Sequence, residues 1–336
     1  SYGLFYFFMF YIKKFLNNCV FIIKNVTLEY LLKEYFHEFA FLSNSLYKKK
    51  RILNSMLVHY KKHIYGIKKI IDLANSLKIN YFLYNEFNDK FFLNLFSFLK
   101  IKKTVISFGG DGTLLKVFDV FGEKNLFIGL NSDEYNSSGA LCLRNLNSIK
   151  DLFFSSYSED KYKYCERLVK IYFYLNNVKY STFNDLYFLN QNILEITKYF
   201  INSRGKTEIH KNSGLIISTP IGSTGSINSS GGAIQSFSDN KIQLLSREQY
   251  YENKYLDVFF NFFLNIGENI KITSCMPKSL LFLNNPYKKT IPIFFGETIK
   301  IETSKNKFNY IILSEDVFIK RELNCYFKNY YINLNN

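Results

Sequence analysis

The chain runs to 336 residues, 47% of them hydrophobic and 21% charged, which is enough apolar material for about two ordinary domains and excludes a disordered or low-complexity protein. Its formal charge of +15 comes from scattered lysines with no aromatic and basic recognition motif among them, so nucleic acid is not an expected partner and the charge is read as solvated lysine that can steer anionic nucleotides. Five cysteines, an odd number, widely spaced and without a C-x-x-C pair, exclude a disulfide framework and fit a reduced, intracellular compartment.

In chain order, residues 2–12 form an apolar run followed by Lys13 and Lys14, too short for a membrane span of about twenty residues, so no membrane partner is expected. No acidic residue precedes Glu29, a pattern compatible with the remnant of a targeting sequence. Residues 1–50 are therefore read as a helical or targeting extension, with Leu28, Leu31, Leu32, Tyr35, Phe36 and Phe39 at helical spacing within 26–50. A regular alternation follows: a strand over 52–59, a helix over 62–77, a strand over 80–84, a helix over 89–100 and a strand over 103–108. That order predicts a doubly wound α/β domain over 51–147, with ligand loops after the strand C-termini. His59 and His63 stand at i,i+4, but no Glu follows His59 as H-E-x-x-H requires, and no protein metal site is expected.

The strand over 103–108 runs into Gly109, Gly110, Asp111, Gly112 and Thr113, and a helix over 113–121 opens behind it. Glycines let backbone N–H groups approach a phosphate chain, the helix N-terminus favours negative charge, and the carboxylate can hold a hydroxyl or a metal beside it. Taken alone, Asp-Gly is also a favoured tight turn. Beyond about residue 147 the character changes to short β-rich pieces over 168–175, 178–183, 186–188, 215–218, 270–272, 280–283 and 291–293, separated by Asn, Gly, Ser and Lys. They predict a β-sandwich-like domain over 148–313, and a final amphipathic stretch over 314–331 predicts a helix within 314–336 that packs back on the first domain.

Three more segments carry chemistry. Asn131 opens the polar stretch 131–142, and Asn184 with Asp185 sets an amide beside a carboxylate between two apolar pieces, a pair suited to gripping two sugar hydroxyls or to an Asx-turn. The strand over 215–218 then enters Thr219, Pro220, Ile221, Gly222, Ser223, Thr224, Gly225 and Ser226, continuing to Ser229 and Gly232. Its hydroxyls are candidates for bonds to phosphate or ribose, and the preceding strand and the proline favour an ordered loop over a flexible linker. Gly205-Lys206-Thr207 lacks the earlier glycine of a Walker A loop, which would fall at Phe200, so Arg204 and Lys206 are read as solvated or nucleotide-facing cations.

Together these segments resemble the NAD kinase family, and 131–142 looks most like its mitochondrial-type branch. The resemblance implies an α/β plus all-β fold of the NAD kinase and diacylglycerol kinase type, and transfer of the γ-phosphoryl group of ATP, with Mg²⁺, to the 2′-hydroxyl of the adenosine ribose of NAD. It implies that Asp111 activates that hydroxyl and that Gly109, Gly110, Gly112 and Thr113 cradle the ATP phosphates. Asn184 and Asp185 match the family's Asn-Glu pair, with a carboxylate one methylene shorter. Thr219, Pro220, Gly222, Ser223 and Thr224 match its Thr-Pro-Thr-Gly-Ser-Thr-Ala-Tyr loop, whereas Gly225 replaces Ala, Ser226 replaces the aromatic and Ser213 stands where an Asp often precedes the strand. Asn131 and Ser229 join the nucleotide-binding set. A homodimer or homotetramer is implied, in the mitochondrion or another organelle, with the cytoplasm as the alternative. The competing readings are a lipid kinase of the diacylglycerol or sphingosine type and a catalytically weak nucleotide-binding protein.

Overall fold

The structure is a computed structural model that describes residues 18–23, 46–76, 78–85, 104–120, 125–132, 139–143, 165–250, 259–283, 290–312 and 315–334. The chain divides into two compact units, one of Ser1–Val117, Lys124–Cys165 and Ile311–Val317, the other of Phe118–Glu123, Glu166–Tyr310 and Phe318–Asn336.

The first unit is built on β1 (Asn18–Ile23), α1 (Leu46–Ser76), β2 (Asn80–Asn85), β3 (Thr104–Gly109), α2 (Asp111–Val120), β4 (Leu126–Asn131) and β5 (Cys142–Leu143). The strands form a parallel sheet in the order β5-β4-β3-β1-β2. Parallel strands covered on both faces read as continuous apolar runs, and every residue of β3 and β4 is buried. β1, with Val20 beside Val105 and Phe21 beside Ile106, lies between β2 and β3, and the sequence reading does not single it out. The strand expected over 52–59 is corrected: those residues belong to α1. Their apolar positions, Ile52, Leu53, Met56, Leu57 and Tyr60, step by three and four rather than by two. Further along the helix His63, Gly66, Ile70 and Ala74 are buried at the same spacing. The His63 ring stacks on Phe108 with centroids 4.8 Å apart, and a methyl group at Gly66 would overlap that ring, so the glycine lets α1 approach β3. Of the helix expected over 26–50, residues 46–50 belong to α1 and the rest lie outside the described residues, as does the helix expected over 89–100.

The second unit contains β6 (Cys165–Leu175), β7 (Val178–Thr182), β8 (Leu186–Asn190), β9 (Thr197–Ser203), β10 (Lys206–Asn212), β11 (Gly214–Ser218), β12 (Ile242–Arg247), β13 (Asn261–Leu264), β14 (Asn269–Ser274), β15 (Lys278–Leu283), β16 (Thr290–Phe294) and most of β17 (Thr298–Ile312), followed by α3 (Glu315–Leu334). One sheet has the antiparallel order β13-β12-β11-β8-β15-β16, and the other joins β10-β9-β14-β17 with β6 and β7. Side chains from both sheets, among them Ile171, Phe173, Phe188, Ile201, Ile217, Ile272, Leu281 and Ile299, share one buried core, as a β-sandwich requires. The β6–β7 hairpin turns through Asn176 and Asn177 at φ 48° and 63°, and the β9–β10 hairpin through Arg204 and Gly205 at φ 50° and 74°. Two consecutive left-handed residues give the turn whose twist matches the strands. Arg204 is thereby placed against Glu268, with N···O distances of 2.9 and 2.7 Å, in an exposed hairpin ion pair, which fits the solvated one of its two expected readings. The first residues of α3, up to Val317, group with the first unit and the rest of the helix with this β-rich unit. Among the described residues no helix is long and apolar enough to cross a membrane.

Candidate functional site

The residues singled out in the sequence gather into two clusters, one in each unit. In the first, β3 delivers Gly109 beside Asn131 of β4, and the Ser132 N–H donates to the Gly109 carbonyl at 3.0 Å. The Gly110 carbonyl accepts the N–H groups of Thr113 and Leu114 at 3.0 and 3.3 Å, so the helix begins at Asp111, two residues before the expected start. A carboxylate in that first turn suits the positive end of the helix dipole. Its two oxygens are held separately: Oδ2 accepts the Ala140 N–H at 2.8 Å and Oδ1 the Leu141 N–H at 2.9 Å. The segment reaches Asp111 by a left-handed turn at Gly139, φ 53°, where a β-carbon would lie 2.7 Å from Asn131 Nδ2. Asn131 and Thr113 are buried, while Gly112 is exposed, and among the described residues nothing beyond its chain neighbours and its own helix backbone lies within 4 Å of where its β-carbon would stand. The open side of the turn is thus at Gly112. Burial, and then the neighbouring Asp111 charge, pushes the Cys142 thiol far above its ordinary range, so it stays protonated.

The second cluster follows from the antiparallel register of β8 and β11, which sets Leu186 beside Ile217 and therefore the start of one strand beside the end of the other. Ser218 Oγ donates to Asp185 Oδ1 at 2.5 Å and the Tyr187 hydroxyl to Asp185 Oδ2 at 3.4 Å. Asn184 and Asp185 are both buried, and burial raises the Asp185 carboxyl to about 6, against the opposing pull of the Ser218 and Tyr187 bonds. Gly222 sits directly on this pair: a β-carbon there would overlap Asp185 Oδ1, stand 2.6 Å from Ser218 Oγ and 3.2 Å from Asn184 Oδ1. Ser218 and Tyr187 are functional neighbours the sequence reading does not assign. Their only signals are a lone hydroxyl closing an apolar strand and an i,i+2 position on the same strand face as Asp185.

Thr219 Oγ1 donates to the Phe183 carbonyl at 2.7 Å, and Ser223 Oγ donates to the Pro220 carbonyl at 2.8 Å while accepting the Gln235 N–H at 2.9 Å. Both side chains are fully buried, and these hydroxyls hold the loop together. A short turn, Gly222–Thr224, closes with the Gly225 N–H on the Gly222 carbonyl at 2.8 Å and leads to a helical turn, Ser226–Ser229. Gly225, Ser226 and Ser229 are exposed and Thr224 is half-buried, so this edge of the loop is its part open to solvent.

Chemically, the first cluster offers backbone N–H groups at a helix N-terminus and one oriented carboxylate, and the second a buried amide and acid beside a glycine-lined loop. Among the described residues no group of three or more His, Cys, Asp or Glu could hold a metal ion.

No protein-family model matches the chain. A probable NADH kinase of Oryza sativa subsp. japonica is 27% identical over 167 residues, which is 43% of this chain and 51% of that protein, so the match spans about half the length of the curated relative. Among solved structures, an NAD kinase from Archaeoglobus fulgidus in complex with ATP superposes with a TM-score of 0.61 at 16% identity, covering 92% of this chain and 98% of that one. Yeast NADH kinase complexed with NADH superposes with a TM-score of 0.53 at 18% identity, covering 65% of each chain. The α/β unit with its parallel sheet and the antiparallel β-rich unit are those of the archaeal neighbour, and the resemblance of this chain to the NAD kinase family holds in both sequence and fold.

Proposed function

We propose that the chain is an NAD kinase, transferring the γ-phosphoryl group of ATP to the 2′-hydroxyl of the adenosine ribose of NAD to give NADP. The observation that carries this reading is Asp111: a carboxylate at the head of α2, fixed by two backbone N–H groups, one residue from the exposed Gly112. Phosphoryl transfer asks a protein mainly for positioning and charge neutralisation. Backbone N–H groups at 110–112 hold phosphate, and Asp111 orients the acceptor hydroxyl and takes its proton as the bond to phosphorus forms and the bond to the departing ADP oxygen breaks. Mg²⁺ is commonly bound by substrate phosphates with one or two carboxylates, so it is assigned here to the ATP it arrives with. Asn184 and Asp185 grip ribose hydroxyls, with Gly222 giving the close approach and Thr224 and Gly225 lining the reachable edge of the loop.

Purified protein incubated with Mg-ATP and NAD, with NADP read by a coupled dehydrogenase, tests the reading; NADH and a lipid mixture serve as rival acceptors. Asp111→Asn is expected to lower turnover by about 10² to 10⁴ with the fold intact by circular dichroism, the range for loss of a general base. Unchanged turnover removes the role assigned to Asp111. Phosphorylation of lipid and not of dinucleotide overturns the function itself.

A further inference from the structure

α3 sends one cation into the loop at 219–225. Arg321 is 2% exposed and its guanidinium lies over the Phe237 ring, 4.6 Å from the centroid. Its Nε donates to the Gln235 carbonyl at 2.7 Å, and one terminal nitrogen donates both to Ser223 Oγ at 2.9 Å and to the Pro220 carbonyl. One side chain therefore ties the start of the loop, at Pro220 and Ser223, to the segment at 235–237 that closes behind it. Two further contacts hold the same helix face there: Ser236 Oγ donates to Glu322 at 2.6 Å, and Phe237 stacks on Phe318 with centroids 6.2 Å apart.

Simple packing would not need a guanidinium, because taking a charge out of water is costly unless its donors are satisfied, and an apolar side chain fills the same volume without that cost. A planar fork with donors in fixed directions does what an apolar group cannot: it sets the relative positions of three acceptors. Those acceptors belong to the loop whose Gly222 packs on Asp185 and Ser218.

We propose that Arg321 is a positioning residue for dinucleotide binding, holding the 219–225 loop in the conformation that presents Gly222 and the Asn184–Asp185 pair to the ribose. The inference rests on the proposed binding of NAD by that loop. Its consequence is a selective loss: NAD binding depends on Arg321, while ATP binding and the chemical step do not.

The test uses the full chain, steady-state kinetics and calorimetric titration with NAD. Arg321→Ala is expected to raise KM and Kd for NAD about tenfold or more, the cost of losing hydrogen bonds from a charged donor. kcat at saturating NAD and KM for ATP stay within about threefold, a change under 1 kcal/mol. Arg321→Lys, which keeps the charge but not the fork, gives an intermediate value of at least about threefold, and it carries the test if the alanine variant does not fold. Ile272→Ala, a core truncation in β14 that lowers the melting temperature, is the control and leaves KM for NAD unchanged. Equal KM values for NAD in wild type and both Arg321 variants, or an equal rise in the Ile272 control, overturns the inference. Wild-type protein that binds no NAD in the titration overturns the function proposed above instead.

Discussion

Asp185 shows what a single residue costs where a site is built. Its carboxyl rises from an ordinary 3.8 to about 6 because burial removes the water that would solvate the charge, and the Ser218 and Tyr187 hydroxyls restore only part of it. A folded-state value raised above the unfolded one means that the folded protein binds the proton more tightly. The associated stability is fully present below about 3.8 and is lost as pH rises through about 6. A shift of this size corresponds to about 3 kcal/mol carried as a penalty at neutral pH. Asp185→Asn keeps an acceptor for Ser218 and drops the charge, so urea unfolding at pH 7.5 is expected to show a gain of up to about 3 kcal/mol, and at pH 4 almost none. A loss of stability at pH 7.5 would mean that the carboxylate is compensated in the fold. Asp111 is the opposite case, half-exposed, with both oxygens engaged by backbone N–H groups, so its geometry is fixed without deep burial.

At the scale of elements, the loop after β11 and the helix before β2 make the same point about glycine. Gly222 has an Asp185 oxygen and Ser218 Oγ where a β-carbon would go, and neither can retreat without breaking the bond between them. Gly222→Ala is expected to cost about 1–3 kcal/mol, the usual range for overpacking, and to weaken NAD binding; thermal unfolding with and without NAD measures both. An alanine variant with wild-type stability and affinity would show that the loop has room to shift. Gly66 plays the matching part in α1, under the Phe108 ring. The strand expected over 52–59 fails at this scale because a short apolar stretch fits either period, and the helix is decided by its continuation through the buried series His63, Gly66, Ile70 and Ala74. β1 is not legible in isolation, since six residues that are apolar after the first resemble the start of many elements until β2 and β3 supply partners on both sides.

For the molecule as a whole, binding and stability are linked. If NAD binds the folded chain alone, a concentration about 100 times its Kd adds about 2.7 kcal/mol and raises the melting temperature by a few degrees, readable by calorimetry; no shift with NAD at millimolar concentration would count against the proposed function. The order of α/β before β-rich structure, the glycine turn at 109–113 and the glycine loop at 219–225 were determined by sequence alone, because periodicity and the need for glycine are local properties of a few neighbouring residues. Tertiary structure alone decided that Thr219 and Ser223 turn inward, that Asp111 is held by Ala140 and Leu141, 29 and 30 residues away, and that Arg321 reaches Pro220 across 101 residues. Desolvation and hydrogen-bond partnership belong to the packed environment, and no pattern within one segment encodes which distant atoms will fill it.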